Sequence, residues 1–317
     1  MTPTPAGRRP RILTVTLNAA LDVTYDVDAM THGASHRVRA VRSRAGGKGV
    51  NVARVAALLG ARVTASGLAG GPSGAEIVAE LDAVPGVRPA FVPVAGASRR
   101  TVTVVDDAGT ATAFNEAGPL VDEAEWACFR DRFPDLVADA DVIVLSGSLP
   151  PGVPGDAYAA LVANARVAGV PVILDADGPP LLAGLPAGPD VVKPNEPELR
   201  AATGTADPVP GAQALRRAGA VTVVASLGPA GLLAVTDAGA WQARPPVMTV
   251  ANATGAGDAA VAAIAVGLAR GDDWPAILRR AAAVSAASVT EPLGGAVDVA
   301  LAERIAAGID PVAVRPT

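Results

Sequence analysis

The chain predicts an α/β fold: a mainly parallel sheet covered by helices on both faces, with a small additional β-structure. Three observations carry this. Strand-like and helix-like segments alternate along most of the 317 residues, the pattern of βα units in a parallel sheet. The informative turns, "SGSLPPG", "DADG", "KPNEPE" and "SLGPAG", each follow a strand, so they gather along one sheet edge, where such folds bind ligands. Two stretches, 21–45 and 90–116, break the rhythm with short strand-like pieces and no helix.

Taken in order, "RILTVTL" (11–17) reads as a strand, and "GVNVARVAALLG" (49–60) as a helix ended by Gly60. "RVTASG" (62–67) is a strand and "GAEIVAELDA" (74–83) a helix. Strands follow at 141–147, 170–176, 189–195 and 220–228, with helices between them such as "GDAYAALVANARVAG" (155–169). The stretches 21–45 and 90–116 form either two hairpins or one small sheet built from two excursions of the chain. That divides the chain into a core of 11–20, 46–89 and 117–310, the two excursions, and a disordered tail at 1–10. A small sheet with one polar and one apolar face either covers a site or pairs with a copy of itself.

Half of the residues are hydrophobic but only 3% aromatic, so the core is Ala, Val and Leu packing. A net charge of −5 argues against a general binder of nucleic acid or of acidic membranes. The single cysteine, Cys128, allows no intrachain disulfide, fits a reducing compartment, and reads as a buried, inert thiol in a helix. His32 and His36 have a metal-like spacing, but no cysteine or obvious acid accompanies them, and an ordinary polar role is expected. The start, "MTPTPAGRRPR", lacks the apolar run of a signal peptide. The longest apolar run, at 259–269, is short of the roughly 20 residues that span a bilayer. A cytoplasmic location is expected.

Of the 26 basic residues only two are lysines, Lys48 in "AGGKGVN" and Lys193 in "VKPNEPE". Both sit in turns, where a compact point charge suits a phosphate.

"NATGAGDAAVA" (252–262) clears space around one acid, Asp258, at the start of an Ala/Val-rich helix. Gly255 and Gly257 allow a ligand to approach the backbone. The unpaired N–H groups and positive dipole of the first turn then make a cup for phosphate oxygens. An acid beside that cup can take a proton from a hydroxyl while the cup holds the charge of a transferred phosphoryl group. "RAGGKGVNVARV" is a second glycine-rich element, but Gly49 stands where a Walker A motif needs Ser or Thr, and the GxxxxGK spacing fails. Gly46, Gly47 and Gly49 can still expose N–H groups, and Asn51 offers a donor and an acceptor suited to sugar hydroxyls. Asn195 and Glu198, three apart at a helix start, are either hard ligands for Mg²⁺ or a helix cap. Arg99 and Arg100 alternate on a strand, so one can face a phosphate and the other solvent.

Seven stretches in this order resemble the ribokinase-like, or PfkB-type, carbohydrate kinases: "TLNAALD" (16–22), "GGKGVNVARV" (46–55), "SRRT" (98–101), "SGSLPPGVP" (146–154), "KPNEPEL" (193–199), "SLGPAG" (226–231) and "TGAGDAAVA" (254–262). The resemblance covers roughly 11–308 and points to the branch acting on phosphorylated hexoses, including 1-phosphofructokinases and tagatose-6-phosphate kinases. It implies a Rossmann-like core with a small β-sheet lid formed by 21–45 and 90–116, use of ATP with Mg²⁺, and a homodimer contact through the lid. By motif, Asp258 resembles the catalytic base, and Gly255, Ala256 and Gly257 with Asp258 the anion hole. Asp22, Gly46, Gly47, Lys48 and Asn51 resemble sugar-binding positions, and Arg99 the grip on the phosphate already present. Asn195 and Glu198 match a motif tied to Mg²⁺, through water. Lys193, Ser226, Gly228, Gly231 and Thr254 resemble the nucleotide side. The expected reaction is phosphorylation of a ketohexose monophosphate to a bisphosphate, fructose 1-phosphate first among the substrates, with tagatose 6-phosphate or fructose 6-phosphate as alternatives. A non-catalytic sugar-phosphate sensor on the same scaffold is the reading of another class. "NAALD" for "NPALD", His36 and Thr101 in place of Asn, and "DADG" (175–178) for "DTSG" depart from the branch, mostly at the lid and the sugar mouth.

Overall fold

The computed structural model describes residues 8–314. Of the disordered tail expected at 1–10, residues 1–7 lie outside the described residues. Arg8 does not fit that expectation: its guanidinium is held by Asp141 at 3.0 Å.

Among the described residues the large sheet has eleven strands. At its centre β1 (Arg11–Thr16) lies between β4 (Arg62–Gly70) and β9 (Val142–Ser146), parallel to both. Beyond β9 come β10 (Val172–Asp175), β11 (Val191–Val192) and β12 (Thr222–Ser226), also parallel. The strand expected over 189–195 is trimmed to two residues. Pro194 cannot donate to a ladder, and Asn195 already opens the next helix. The far edge is antiparallel: β13 (Leu232–Val235), β14 (Ala240–Ala243) and β15 (Val312–Val314). Only a short turn separates β12 from β13, too few residues for the crossover a parallel pair needs. On the other side β5 (Val87–Pro89) and β6 (Val92–Val94) both pair with β4.

Strand alternation separates two cores. Ile12, Val142 and Val144 face one layer with α1 (Lys48–Leu58), α2 (Gly71–Asp82), α8 (Ala256–Arg270), α9 (Trp274–Ser288) and α10 (Val299–Ala307). Leu13, Ile143 and Leu145 face the other, with α3 (Glu123–Ala138), α4 (Ala157–Val167), α5 (Gly178–Gly184), α6 (Glu196–Thr203) and α7 (Pro208–Arg217). In α8 every residue from Asp258 to Ala269 is buried. Its alanines let it pack closely between α1 and α9, which explains an apolar run with no polar face. Helix α3 turns Trp126, Phe129 and Phe133 inward, and this periodicity leaves Cys128 exposed rather than buried as expected.

Among the described residues the second sheet has four strands in the order β3 (Ala40–Gly46), β2 (Ala20–Asp26), β7 (Arg99–Val105), β8 (Ala111–Asn115). It is one sheet drawn from both excursions. Residues 92–94, expected within the second excursion, belong instead to the large sheet, because β6 continues the β4 ladder. The register gives the small sheet two unlike faces. Asp22, Arg44 and Thr101 share one; Val23, Val102 and Phe114 share the other. Val23 is buried in the core, whereas Val41 and Phe114, farther out, are exposed.

Among the described residues no helix is long and apolar enough to cross a membrane. His36 lies in the loop between β2 and β3, where its ring nitrogen pairs with the backbone of Thr31.

Candidate active site

The carboxyl ends of β1, β9, β10, β11 and β12 carry Thr16, Ser146, Asp175, Lys193 and Ser226 to one edge of the sheet. Helix α8 begins there. Gly255, its N-cap, has φ 88°, a conformation that glycine adopts without strain, and a β-carbon there would press on Gly294. The turn that follows leaves N–H groups without intrahelical acceptors. Ala256 donates a long 3.4 Å bond to Ala253 O.

Asp258 is buried, and Asn51 Nδ2 donates to its Oδ2 at 2.8 Å. Burial, and next the negative charge of Asp175, push its carboxyl up to about 6, while Asn51, Lys48 and Lys193 act against the rise. Asp175 was not singled out in the sequence as a site residue, yet it is the hub of the charges. It is 1% exposed, and its Oδ1 lies 3.4 Å from Lys193 Nζ and 3.5 Å from Lys48 Nζ. The chain's two lysines therefore converge on one buried carboxylate. The signal was a lone acid ending an apolar strand, "VILD", ahead of a turn. Lys48 also stands 3.8 Å from Glu198 Oε1. Burial opposes its charge, but Asp175, Glu198, Asp258 and Asp177 outweigh burial and hold it above the ordinary lysine range.

Asn195 and Glu198 form a capping box on α6: Glu198 N–H donates to Asn195 Oδ1, and Asn195 N–H to Glu198 Oε2, both at 2.8 Å. The cap uses one oxygen of each side chain and leaves Glu198 Oε1 facing Lys48. Among the described residues no three His, Cys, Asp or Glu side chains cluster as a metal cage. The donors still fit an Mg²⁺ that keeps waters and takes phosphate oxygens. Glu198 Oε1 is a hard oxygen free of the cap, and Asp175 Oδ2 is buried without a hydrogen-bond partner.

Two cavities meet this edge. One, about 650 Å³, is lined by Pro246, Val247, Met248, Ala282, Ala286 and Val289, and reaches Asn195, Ser226, Gly228, Gly231, Ala256 and Gly257. Lys193 stands beside it, its Nζ 3.3 Å from where a β-carbon of Gly257 would be. Thr254 is exposed at the turn before α8, its N–H held by Asn252 Oδ1. The other, about 810 Å³, is lined by Thr16, Asn18, Gly47, Lys48, Arg99, Ser148 and Asp177 among others. Arg99 is half-buried, fixed by bonds from Nε to Asn18 O at 3.1 Å and from Nη1 to Glu116 O at 3.4 Å. Arg100 points to solvent on the opposite face. Asp22, on the polar face of the small sheet, is raised to about 6 by burial, against the pull of Arg99, a Thr101 hydrogen bond and Arg44. Gly46 is required beside it, because a β-carbon there would fall 2.0 Å from Asp22 Oδ2. Lys48 and Arg99 share the polar cavity, but Lys48 turns its ammonium into the acid cluster rather than towards Arg99.

A family model described as pfkB family carbohydrate kinase matches residues 15–299. The chain belongs to the pfkB family of carbohydrate kinases. It is 36% identical over 286 residues to a 1-phosphofructokinase of Vibrio cholerae, covering 89% of this chain and 90% of that one. The phosphofructokinase-2 of Escherichia coli, in a crystal structure with potassium, superposes with a TM-score of 0.89 at 31% identity, covering 94% of this chain and 99% of that one. A possible 1-phosphofructokinase of Thermotoga maritima superposes with a TM-score of 0.86 at 26% identity, covering 96% and 100%. The family makes this chain an ATP-dependent sugar kinase.

Proposed function

We propose that the chain transfers the γ-phosphoryl group of ATP to a ketohexose monophosphate, giving a bisphosphate, and that its substrate is fructose 1-phosphate. The observation that carries the reading is Asp258: a buried carboxylate, fixed by Asn51, at the helix start that borders the apolar cavity, with Lys48 from the polar cavity close by. Its likeness to the Vibrio cholerae enzyme supports the choice of sugar.

In this reading the apolar cavity takes the adenine, and Ser226, Gly228 and Gly231 border the nucleotide. Lys193 and the N–H groups of Gly257 and Asp258 face its phosphates. The polar cavity takes the sugar. Arg99 grips the resident phosphate, while Asp22 and Asn51 hold hydroxyls. Lys48, turned to the acid cluster, serves the phosphoryl group in flight rather than the one already present. The acceptor hydroxyl attacks the γ-phosphorus in line. Its proton passes to Asp258, the bond to the β–γ bridging oxygen breaks, and ADP leaves. Glu198, with Asn195 as its cap, would hold Mg²⁺ through water, and the ion would supply positive charge to the nucleotide phosphates. The exposed Val41 and Phe114 on the apolar face of the small sheet support a homodimer formed lid to lid.

A coupled ADP-release assay over fructose, fructose 1-phosphate, fructose 6-phosphate and tagatose 6-phosphate tests the reading. Fructose 1-phosphate is expected to give the highest kcat/KM. Preference for unphosphorylated fructose would overturn the role of Arg99. Binding of sugar phosphate without turnover of any substrate would mark a sensor instead.

A further inference from the structure

Outside the residues that face the two cavities, one charged cluster ties the small sheet to the catalytic helix. Glu80, on α2, has three partners: the guanidinium of Arg54 from α1 at 2.5 Å, the backbone N–H of Ala45 at the root of β3, also at 2.5 Å, and, more distantly, Arg44 Nε at 4.0 Å. Next along β3, Arg44 donates from Nη1 to the carbonyl of Gly294 at 2.9 Å. Gly294 and its neighbour Gly295 lean on the site. A β-carbon at Gly295 would lie 2.9 Å from Asn51 Oδ1 and 3.3 Å from Arg54 Cδ. Asn51 is the residue that bonds Asp258.

We propose that Glu80 is a positioning residue for phosphoryl transfer: it fixes the root of the lid through Ala45 and Arg44, and the Gly294–Gly295 loop through Arg54, so that Asn51 holds Asp258 in place only when the lid is seated. The proposal rests on the reading of Asp258 as the base. Arg54 is 6% exposed, and Glu80 is its one salt-bridge partner among the described residues. A buried guanidinium without its carboxylate must move towards water or another acceptor, and Gly295 packs on its stem. Arg44 is half-buried on the same face of the small sheet as Asp22, so any swing of that sheet away from the core strains its bond to Gly294. The device thus makes the amide of Asn51 responsive to a strand that touches the sugar.

Steady-state kinetics and pH profiles of Glu80→Gln and Arg44→Ala, run beside Asp258→Asn, test this. Arg44→Ala keeps the Glu80–Arg54 pair and so remains informative if the Glu80 variant does not fold. Lys48 and Asn51 on α1, Asp175 at the end of β10 and Lys193 after β11 are the groups that face Asp258; of these only Asn51 should shift. The expected result is a kcat lowered by about 10- to 100-fold, the cost of a small misplacement, with KM for ATP unchanged. The acid limb of the kcat profile should move to higher pH, because a loosened Asn51 no longer favours the ionised carboxylate. Wild-type kcat, or a lower kcat with an unmoved acid limb, overturns the proposal. If Asp258→Asn itself keeps near-normal kcat, it is the base assignment that fails.

Discussion

The two cavities at the ends of the strands differ in how they are built. The apolar cavity is walled by aliphatic side chains of α9 and of the segment around Pro246, all from the large α/β unit. The polar cavity is walled by Asn18, Lys48, Ser148, Asp177 and, from the small sheet, Arg99. An apolar slot can hold any flat base and needs little exact placement. In the polar cavity Arg99 is anchored to two carbonyls, and next to it Asp22 lies against a glycine. The apolar cavity belongs wholly to the large α/β unit, whereas the polar one takes Arg99 from the small sheet.

That contrast makes the two cavities separable by mutation. The largest effect is expected from Asp258→Asn, which should lower kcat by about 10²- to 10⁴-fold with both KM values little changed. A change confined to one KM would place the residue in a single cavity. Arg99→Ala should raise KM for the sugar phosphate by about 10- to 100-fold, the worth of a charge-assisted pair, and leave KM for ATP alone. Ser285→Trp, filling the apolar cavity, should do the reverse, with KM for ATP up by about tenfold or more. Equal effects of either variant on both substrates would break the comparison.

Smaller effects follow from titration. A base must be ionised, so kcat should fall about tenfold per pH unit below about 6, the value to which burial and Asp175 raise Asp258. The same shift affects stability. A carboxyl whose folded value is raised binds more protons in the folded state, so stability falls as pH rises from 3.8 towards about 6 and stays lower above it. Asp258→Asn should therefore stabilise the fold at pH 8 by on the order of 1–3 kcal/mol, and by nothing below about pH 4. Denaturant titrations at the two pH values measure it.

Much of the site was legible because its parts are contiguous in the chain. "GAGD" at a helix start, "GGKGVN" and "KPNEPE" each carry backbone geometry and chemistry in a few residues, and the fold brings Asp258, Asn51, Lys48 and Glu198 together. The alternation of strands and helices fixed the parallel core in the same way. Relations made only in three dimensions were not legible. Asp175 looks like an ordinary residue closing a strand until two lysines from distant turns meet on it. Glu80 reads as the polar side of an amphipathic helix, and only the packing of β3 and α1 reveals its partners. Cys128 is exposed where residue type alone suggests burial, because burial of a helix position depends on where the aromatic stripe falls.

The central claim is that one carboxylate serves both cavities. A crystal structure with a non-hydrolysable ATP analogue and fructose 1-phosphate tests it most directly. The account predicts the adenine against Ala286 and Val289, the sugar's phosphate on Arg99, and the free terminal hydroxyl within hydrogen-bond distance of Asp258, in line with the γ-phosphorus. A sugar bound with its phosphate at Asp258, or a γ-phosphorus with no path to the hydroxyl beside that carboxylate, would contradict it.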